Sequence, residues 1–339
     1  MSKLFNRTFC LGLLQPYSRR DDTLFICGKP GWINEDTNQN YRGEMCRKLL
    51  KPKHIIQLEY IRKGVDQQHL IDDEFKVWDD SQIERAKYDS LDLEDMKDFL
   101  NGIHKRYRNL IIDITLMNIR LLGALLAVLP FYHWKRVFCC YTEAGEYLRS
   151  KNGEDNRFDL KNQILGFDEI PNLQTTSDAS NECAWIIFMG FEGSRLQALQ
   201  QEAEPGRKYT IPVVSIPAMR TAWHNHAINA NMDYIETMKE HEHFKYVSAV
   251  NPFAVYNYLE KERADGIDKN VRMKISPVGT RLTTLGSMMF VLKNEQEILL
   301  TDNPYQKDEN SRSYGRSYAY DLSYFFKTTR NKRFELEDD

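Results

Sequence analysis

Ser276-Pro277-Val278-Gly279-Thr280-Arg281 holds the residue types best suited to grip an anion. The segment follows a compact apolar run (Val271, Met273, Ile275) and leads into an apolar stretch from Leu282 to Leu292, which predicts strand, turn and helix in succession. A helix entered this way points free backbone N–H groups and the positive end of its dipole outward, an arrangement that suits phosphate. Gly279 lets the backbone approach a ligand, while Thr280 and Arg281 offer a hydroxyl and a planar fork of donors. The same residues also have a plain structural use, Gly279 as a tight turn and Thr280 as a helix cap.

Gly190-Phe191-Glu192-Gly193-Ser194-Arg195 follows another apolar run and opens another helix. It is neither the G-x-G-x-x-G dinucleotide fingerprint nor a P-loop, because no GK[ST] follows. Gly193, Ser194 and Arg195 are candidates for ligand contact. Glu192 would repel a phosphate, so its partners would be a ribose hydroxyl, a base edge or Arg195 itself. Asp113-Ile114-Thr115 ends the apolar run that starts at Leu110. Asp113 there could serve as a base or metal ligand, with Thr115 beside a ligand, although such an Asp more often caps the next turn. With Glu143 as the one plausible second carboxylate, a metal site is the minority reading.

The histidines do not make a zinc cluster. His224 with His226, and His241 with His243, are i, i+2 pairs, and an intervening helix would hold the pairs about 20 Å apart at ~1.5 Å per residue. His224 beside Trp223 is left as an acid–base or base-stacking candidate. No G-x-S-x-G elbow is present, and Cys139-Cys140 fall in a strand-like run that reads as core. The catalytic candidates are therefore Asp113, Glu192 and His224. No metal is expected, and the only cofactor suggested is a nucleotide ligand.

The elements that must position these residues alternate. Strands are predicted at Thr23–Cys27, His54–Arg62, Leu110–Thr115 and Val137–Tyr141, and then at Ala184–Met189, Thr210–Ile216, Tyr246–Val250, Val271–Ser276 and Ile298–Thr301. Helical stretches lie between them: Tyr41–Leu50, an amphipathic run through Leu91, Leu93, Met96, Phe99 and Leu100, Ile119–Leu129, Ser194–Glu202, Ala227–His241, Pro252–Arg263 and Leu282–Leu292. This rhythm implies right-handed crossovers and parallel sheets covered on both faces. The fold class expected is α/β, two doubly wound Rossmann-like halves with mostly parallel sheets, and the recurrence suggests a pseudo-duplication. The halves are placed at 1–150 and 183–339, joined by a polar segment at 151–182. In such sheets ligands bind beyond the carboxyl ends of the strands, an edge reached by the loops Gly28–Gly31, Asp113–Asn118, Gly190–Arg195, Ser215–Arg220 and Ser276–Arg281.

The chain has 339 residues, 42% hydrophobic and 28% charged, with a net charge of −3. That size supports a substantial core, and the charge supplies no global basic field for nucleic acid. The aromatic and basic tail, with Arg312, Arg316, Lys327, Arg330, Lys332 and Arg333 among Tyr314, Tyr318, Tyr320, Tyr324, Phe325 and Phe326, could stack on a nucleic acid strand. A terminal strand and helix packing these aromatics is the favoured reading. Six cysteines without a CxxC point to reduced thiols in a cytoplasm. No apolar run nears the ~20 residues of a membrane helix, and no secretory signal is evident.

Ser276–Arg281, Leu285-Gly286, the strand Ile298–Thr301 and Tyr318 together resemble the Rossmann-like sensor domains of prokaryotic immunity, the CARF family and the related SAVED domains. Thr280 and Arg281 occupy the Thr-Lys positions of the family's Thr-Gly-Gly-Thr-Lys-like turn, and Gly279 matches one glycine. Ser276-Pro277-Val278 departs from that turn, and no Gly-Thr-Lys follows Asp113-Ile114-Thr115. The resemblance implies an antiviral defence role, a nucleotide ligand and a separate effector partner. Three functions stand open on the residues. The first is a nucleotide- or nucleic-acid-sensing module that acts with a protein partner or as a homo-oligomer. The second is a nucleotide hydrolase or transferase using Asp113, Glu192 or His224, and the third is a non-catalytic structural subunit.

Overall fold

Leu110, Ile111 and Ile112 alternate sides along one strand, yet all three are wholly buried. A strand with no wet face needs cover above and below, and flanking helices provide it. The computed structural model describes residues 8–28, 41–60, 83–88, 92–147, 163–170, 173, 182–193, 195–196, 198–199, 207–236, 244–268, 270–306 and 311–335.

In chain order the first strands and helices are β1 (Thr8–Cys10), α1 (Gln15–Ser18), β2 (Thr23–Gly28), α2 (Tyr41–Leu50), β3 (Ile55–Tyr60), β4 (Ile83–Tyr88), α3 (Leu93–His104), β5 (Asn109–Asp113), α4 (Ile119–Val128) and β6 (Arg136–Tyr147). Next come β7 (Gln163–Glu169), β8 (Cys183–Phe188), α5 (helical residues within 193–199), β9 (Arg207–Ser215), α6 (Trp223–Ala230), α7 (Met232–Glu236) and β10 (Lys245–Val247). The chain continues with α8 (Pro252–Lys261), β11 (Arg272–Pro277), α9 (Arg281–Lys293), β12 (Ile298–Gln306), β13 (Ser311–Asp321) and α10 (Ser323–Glu335).

The chain forms two units. Among the described residues, one takes those from 8 to 146 together with those from 311 onward, and the other takes those from 147 to 306. This corrects the expected boundary, since 311–335 completes the first unit and not the second. In the first unit the sheet order is β1-β13-β6-β5-β2-β3-β4, with β6, β5, β2, β3 and β4 parallel. β13 lies between β1 and β6. The Leu322 N–H donates to Val137 O, the Ser317 and Thr142 hydroxyls meet, and the Arg316 N–H donates to Glu143, so β13 runs antiparallel to β6. The tail aromatics pack accordingly: Tyr320, Phe325 and Phe326 are buried, while Tyr314 and Tyr324 remain exposed.

In the second unit the order is β10-β9-β8-β11-β12-β7, parallel except for β7 against β12. Counting the parallel strands of each unit in chain order gives 3-2-1-4-5 in both sheets. Each fifth strand carries an antiparallel neighbour, β13 on β6 and β7 on β12. The expected two doubly wound halves are present, and the same topology occurs twice. β7 falls inside the segment expected to be only a polar connection.

Local sequence explains the helices that bear on function. Asn118 accepts hydrogen bonds from the N–H groups of Arg120 and Leu121 to start α4, which is buried from Leu121 to Val128. α9 is buried from Leu282 to Leu292 and crosses α8 at Gly286. A Cβ there would stand 2.5 Å from Pro252 O and 2.6 Å from Val255 Cβ, so only glycine permits this approach. The expected helix 227–241 is two short ones, α6 and α7, and 237–243, with His241 and His243, lies outside the described residues. Among the described residues no helix is long and apolar enough to cross a membrane.

Candidate functional site

The order 3-2-1-4-5 reverses between its first and fourth strands, and in open α/β sheets ligands gather beyond that switch point. In the second unit the switch lies between β8 and β11. Trp185 Nε1 donates to Ser276 Oγ at 2.9 Å across this pair, fixing where β11 gives way to its turn. Beyond it Thr280 is the N-cap of α9. Its hydroxyl accepts from Thr283 N at 3.2 Å and donates to Ala249 O at 3.1 Å, so both hydrogen-bonding roles are already used within the protein. Gly279, Thr280 and Arg281 are half-buried, with Arg281 in the first turn of α9, where no acidic residue stands. An anion there would meet a cationic side chain and the positive helix end.

The loop after β8 is held by its own protein. A Cβ on Gly190 would lie 2.2 Å from Val278 O, and one on Gly193 only 1.8 Å from Ala230 O. Asn231 Nδ2 donates to Gly190 O at 2.9 Å and Ala227 O at 2.6 Å, pinning the α6–α7 junction over the loop. Arg195 Nη1 contacts Glu192 Oε2 at 3.0 Å and Val278 O at 3.1 Å. Both side chains of that ion pair are buried. Arg195, expected as a ligand fork, ties the β8 loop to the β11 loop, and of the expected roles of Glu192, which included acid or base, it is the pairing with Arg195 that the structure shows. The guanidinium that suits phosphate suits carboxylate and carbonyl equally. Gly193 is a packing glycine here, and Ser194 lies outside the described residues.

The first unit has a matching feature. Gly28 ends its first parallel strand, and a Cβ there would lie 2.4 Å from Met117 Cα. Each switch point is thus crossed by the loop that leaves the fourth strand, Met117 over Gly28 and Val278 over Gly190. Asp113, wholly buried at that loop's start, accepts Thr115 N on Oδ1 at 2.9 Å, and Thr115 Oγ1 accepts Thr142 N at 3.0 Å. Both residues thereby shape the loop. Nearby, Cys46 contacts the Thr142 hydroxyl at 3.4 Å. Its thiol is pushed up by hydrogen bonding to Cys140 and by burial, and burial likewise raises Cys27 and Cys139, so these thiols are held protonated. Glu143 Oε1 accepts Arg316 N at 2.8 Å. Among the described residues no group of three or more His, Cys, Asp and Glu is arranged to hold a metal.

An aromatic cluster stands at the carboxyl edge of the second sheet. Phe191, just after β8, meets Trp223 at 5.5 Å and 84°, and His226 at 6.3 Å and 82°. Tyr147, where the second unit begins, meets Phe191 at 5.8 Å and Trp223 at 5.3 Å. The Arg220 guanidinium carbon lies 5.0 Å from the Trp223 ring centre. It is His226 rather than His224 that joins Phe191, because residues three apart share a helix face and Trp223 already sets that face. The contributing loops were legible in the sequence, but Phe191, Arg220 and His226 were not singled out within them. Two hydrogen bonds link Pro217, in the loop after β9, to Thr280: Ala249 N donates to Pro217 O at 3.0 Å, and Ala249 O accepts from Thr280.

The fold defines a two-unit, doubly wound α/β protein with mostly parallel sheets. No family model matches the chain, and no curated protein matches it. The crystal structure of a functionally unknown protein, PA1789 from Pseudomonas aeruginosa PAO1, is similar over 96% of this chain and 99% of that one. The identity is 10% and the TM-score 0.25, a likeness too slight to carry an argument.

Proposed function

We propose that the chain is a nucleotide-sensing module that binds its ligand at the carboxyl edge of the second sheet and acts through a separate protein partner. The observation that carries this reading is the edge running from Pro217 through Ala249 to Thr280 and Arg281, beside the switch point of a 3-2-1-4-5 sheet. A role in prokaryotic antiviral defence is the context implied by the resemblance of Gly279-Thr280-Arg281 to the CARF and SAVED turn, and it belongs to the proposal on that ground alone. Of the three residues the hydrolase or transferase alternative would use, Asp113 and Glu192 are buried and engaged in shaping their own loops, which leaves His224 for that reading.

The test is a thermal-shift series on the full chain with mononucleotides, dinucleotide cofactors, cyclic oligonucleotides and short single strands. A ligand at about 100 times its Kd adds roughly 2.7 kcal/mol of stability. One class should raise Tm, and Arg281→Ala should abolish that rise. No shift with any class would overturn the proposal.

A further inference from the structure

We propose that the amino-terminal edge of the first sheet binds the sugar–phosphate backbone of a nucleic acid. The inference concerns the first unit and the entry ends of its strands, so it stands apart from the ligand edge of the second sheet.

Four segments reach this edge, because each leads into a parallel strand: residues 19–22 into β2, 51–54 into β3, 105–108 into β5 and 133–136 into β6. These strands are neighbours in the order β6-β5-β2-β3. Their register aligns the segments, with Arg136 opposite Asn109, Asn109 opposite Thr23, and Phe25 opposite Ile55. Backbone hydrogen bonds join them into one row. Lys53 N donates to Ser18 O at 3.2 Å, Arg108 N to Asp22 O at 2.9 Å, and Lys135 N to Arg108 O at 2.9 Å.

The row is strongly basic. Its segments read RRDD, KPKH, KRYR and HWKR, nine lysines and arginines against two aspartates in a chain whose net charge is −3. Most of that charge is uncompensated. Asp21 pairs with Lys53, and Asp321 lies 3.6 Å from Arg136. Arg20 and Arg106 lie over the rings of Tyr17 and Tyr107, at 5.6 Å and 5.3 Å, contacts that leave their charge in place. Among the described residues Arg19, Lys51, Lys105, Arg108 and Lys135 stand in no ion pair, and all five are exposed.

Neighbouring strands are ~4.8 Å apart, inside the Debye length of ~8 Å at physiological salt, so adjacent segments act as one field. Four strands make a row about 15 Å long, a line of charge rather than a plane. A nucleic acid backbone is a linear polyanion and matches a line, whereas a membrane surface matches a broad face. Guanidinium groups supply five of the nine cations, and their planar forks pair with phosphate oxygens two at a time.

The experiment follows the anisotropy of a fluorescently labelled single strand of about 20 nucleotides, and of its duplex, with the full chain from about 50 to 200 mM salt. The wild type should bind with log K falling against log salt at a slope of roughly −3 to −6, which corresponds to about four to seven phosphate contacts. Arg108→Ala combined with Lys135→Ala should flatten that slope by about 1.4–1.8, and Arg108→Lys combined with Lys135→Arg should restore it. Should the alanine pair lose its native circular dichroism, Arg19→Ala with Arg20→Ala replaces it with the same expectation. Lys261→Ala removes an exposed cation at the end of α8 in the second unit and should leave the slope unchanged. Tighter binding of strand or of duplex tells which form the edge takes, and either supports the proposal. No binding of either form at about 50 mM salt would overturn it, as would equal slopes for the wild type and the alanine pairs. An equal loss in Lys261→Ala would reduce the effect to overall charge and overturn it too. Vesicles of phosphatidylserine and phosphatidylcholine are the last arm, and binding to them but to neither nucleic acid would replace this proposal with a membrane surface. Loss of strand binding only in Arg281→Ala would overturn the basic edge and leave the ligand edge of the second sheet standing.

Discussion

Arg195→Met offers the sharpest test of how the second unit is built. The substitution keeps a long apolar stem and removes the charge. Two contacts of Nη1 go with it, 3.0 Å to Glu192 Oε2 and 3.1 Å to Val278 O. The Glu192 side chain is only 3% exposed, so its carboxylate would stay out of water without the Arg195 charge. Removing one partner of such a pair costs about 3–5 kcal/mol, whereas removing both together is often close to neutral. For a unit of this size each kcal/mol moves Tm by about 2–4 °C, so Arg195→Met should lower it by roughly 6–20 °C. Glu192→Leu combined with Arg195→Met should recover at least half of that fall. Differential scanning calorimetry of the full chain reads both numbers. A single variant within about 1 °C of wild type, or a double variant no more stable than the single, would refute the reasoning. If Arg195 were instead a ligand fork, its Met variant would melt normally and lose binding.

Three further outcomes follow from the geometry. Cys10 is exposed and the other five cysteines are buried, so a thiol reagent should modify one thiol rapidly in the native protein and all six after unfolding; a second fast thiol would contradict the packing. Gly102 sits in α3 with nothing within 4 Å of a built Cβ, so Gly102→Ala should stabilise by about 0.5–1 kcal/mol, whereas Gly193→Ala, whose Cβ meets Ala230 O, should cost about 1–3 kcal/mol in urea titrations. Burial raises the pKa of Tyr88, Tyr256, Tyr258 and Tyr320. A phenol raised in the folded state gives stability that is fully present below the unfolded value, near 10, and is lost as pH climbs above it. Absorbance at 295 nm should show these tyrosines ionising together with alkaline unfolding, and stability that rises above pH 10 would contradict this.

Sequence patterning reveals much of this fold where burial is two-sided. The runs at Leu110–Asp113 and Ala184–Phe188 are continuous because both faces of those strands are covered. Helix starts were legible where a side chain caps them, as at Asn118 and Thr280. β4 escaped because Ile83–Tyr88 reads IERAKY, an edge strand whose charges belong at a solvated rim. β7 escaped because its antiparallel edge position asks for no long apolar run. The return of β13 to the first sheet leaves no local trace at all, since its alternation of Tyr, Ser and Arg would suit either unit. At the site, residue types suggested an anion-binding edge and offered Arg195 as one of three partners for Glu192, and the choice among them was a matter of distance. Glu192 three residues earlier on the helix start, and the Val278 carbonyl from another strand, take the donors that a phosphate would have used.

Strands β6 and β13 are neighbours in one sheet, yet all six described strands of the second unit are translated between them. As the chain leaves the ribosome, β6 therefore waits with one edge unpaired while residues 148–310 are made. The second unit has all six of its strands in one continuous stretch, so it can complete itself first. Order of synthesis and order of completion are thus reversed, and any nascent or proteolysed fragment ending between the two strands exposes the β6 edge to association. Such fragments should depend on chaperones in proportion to how long that edge stays open, and slow codons within 148–310 would lengthen the interval.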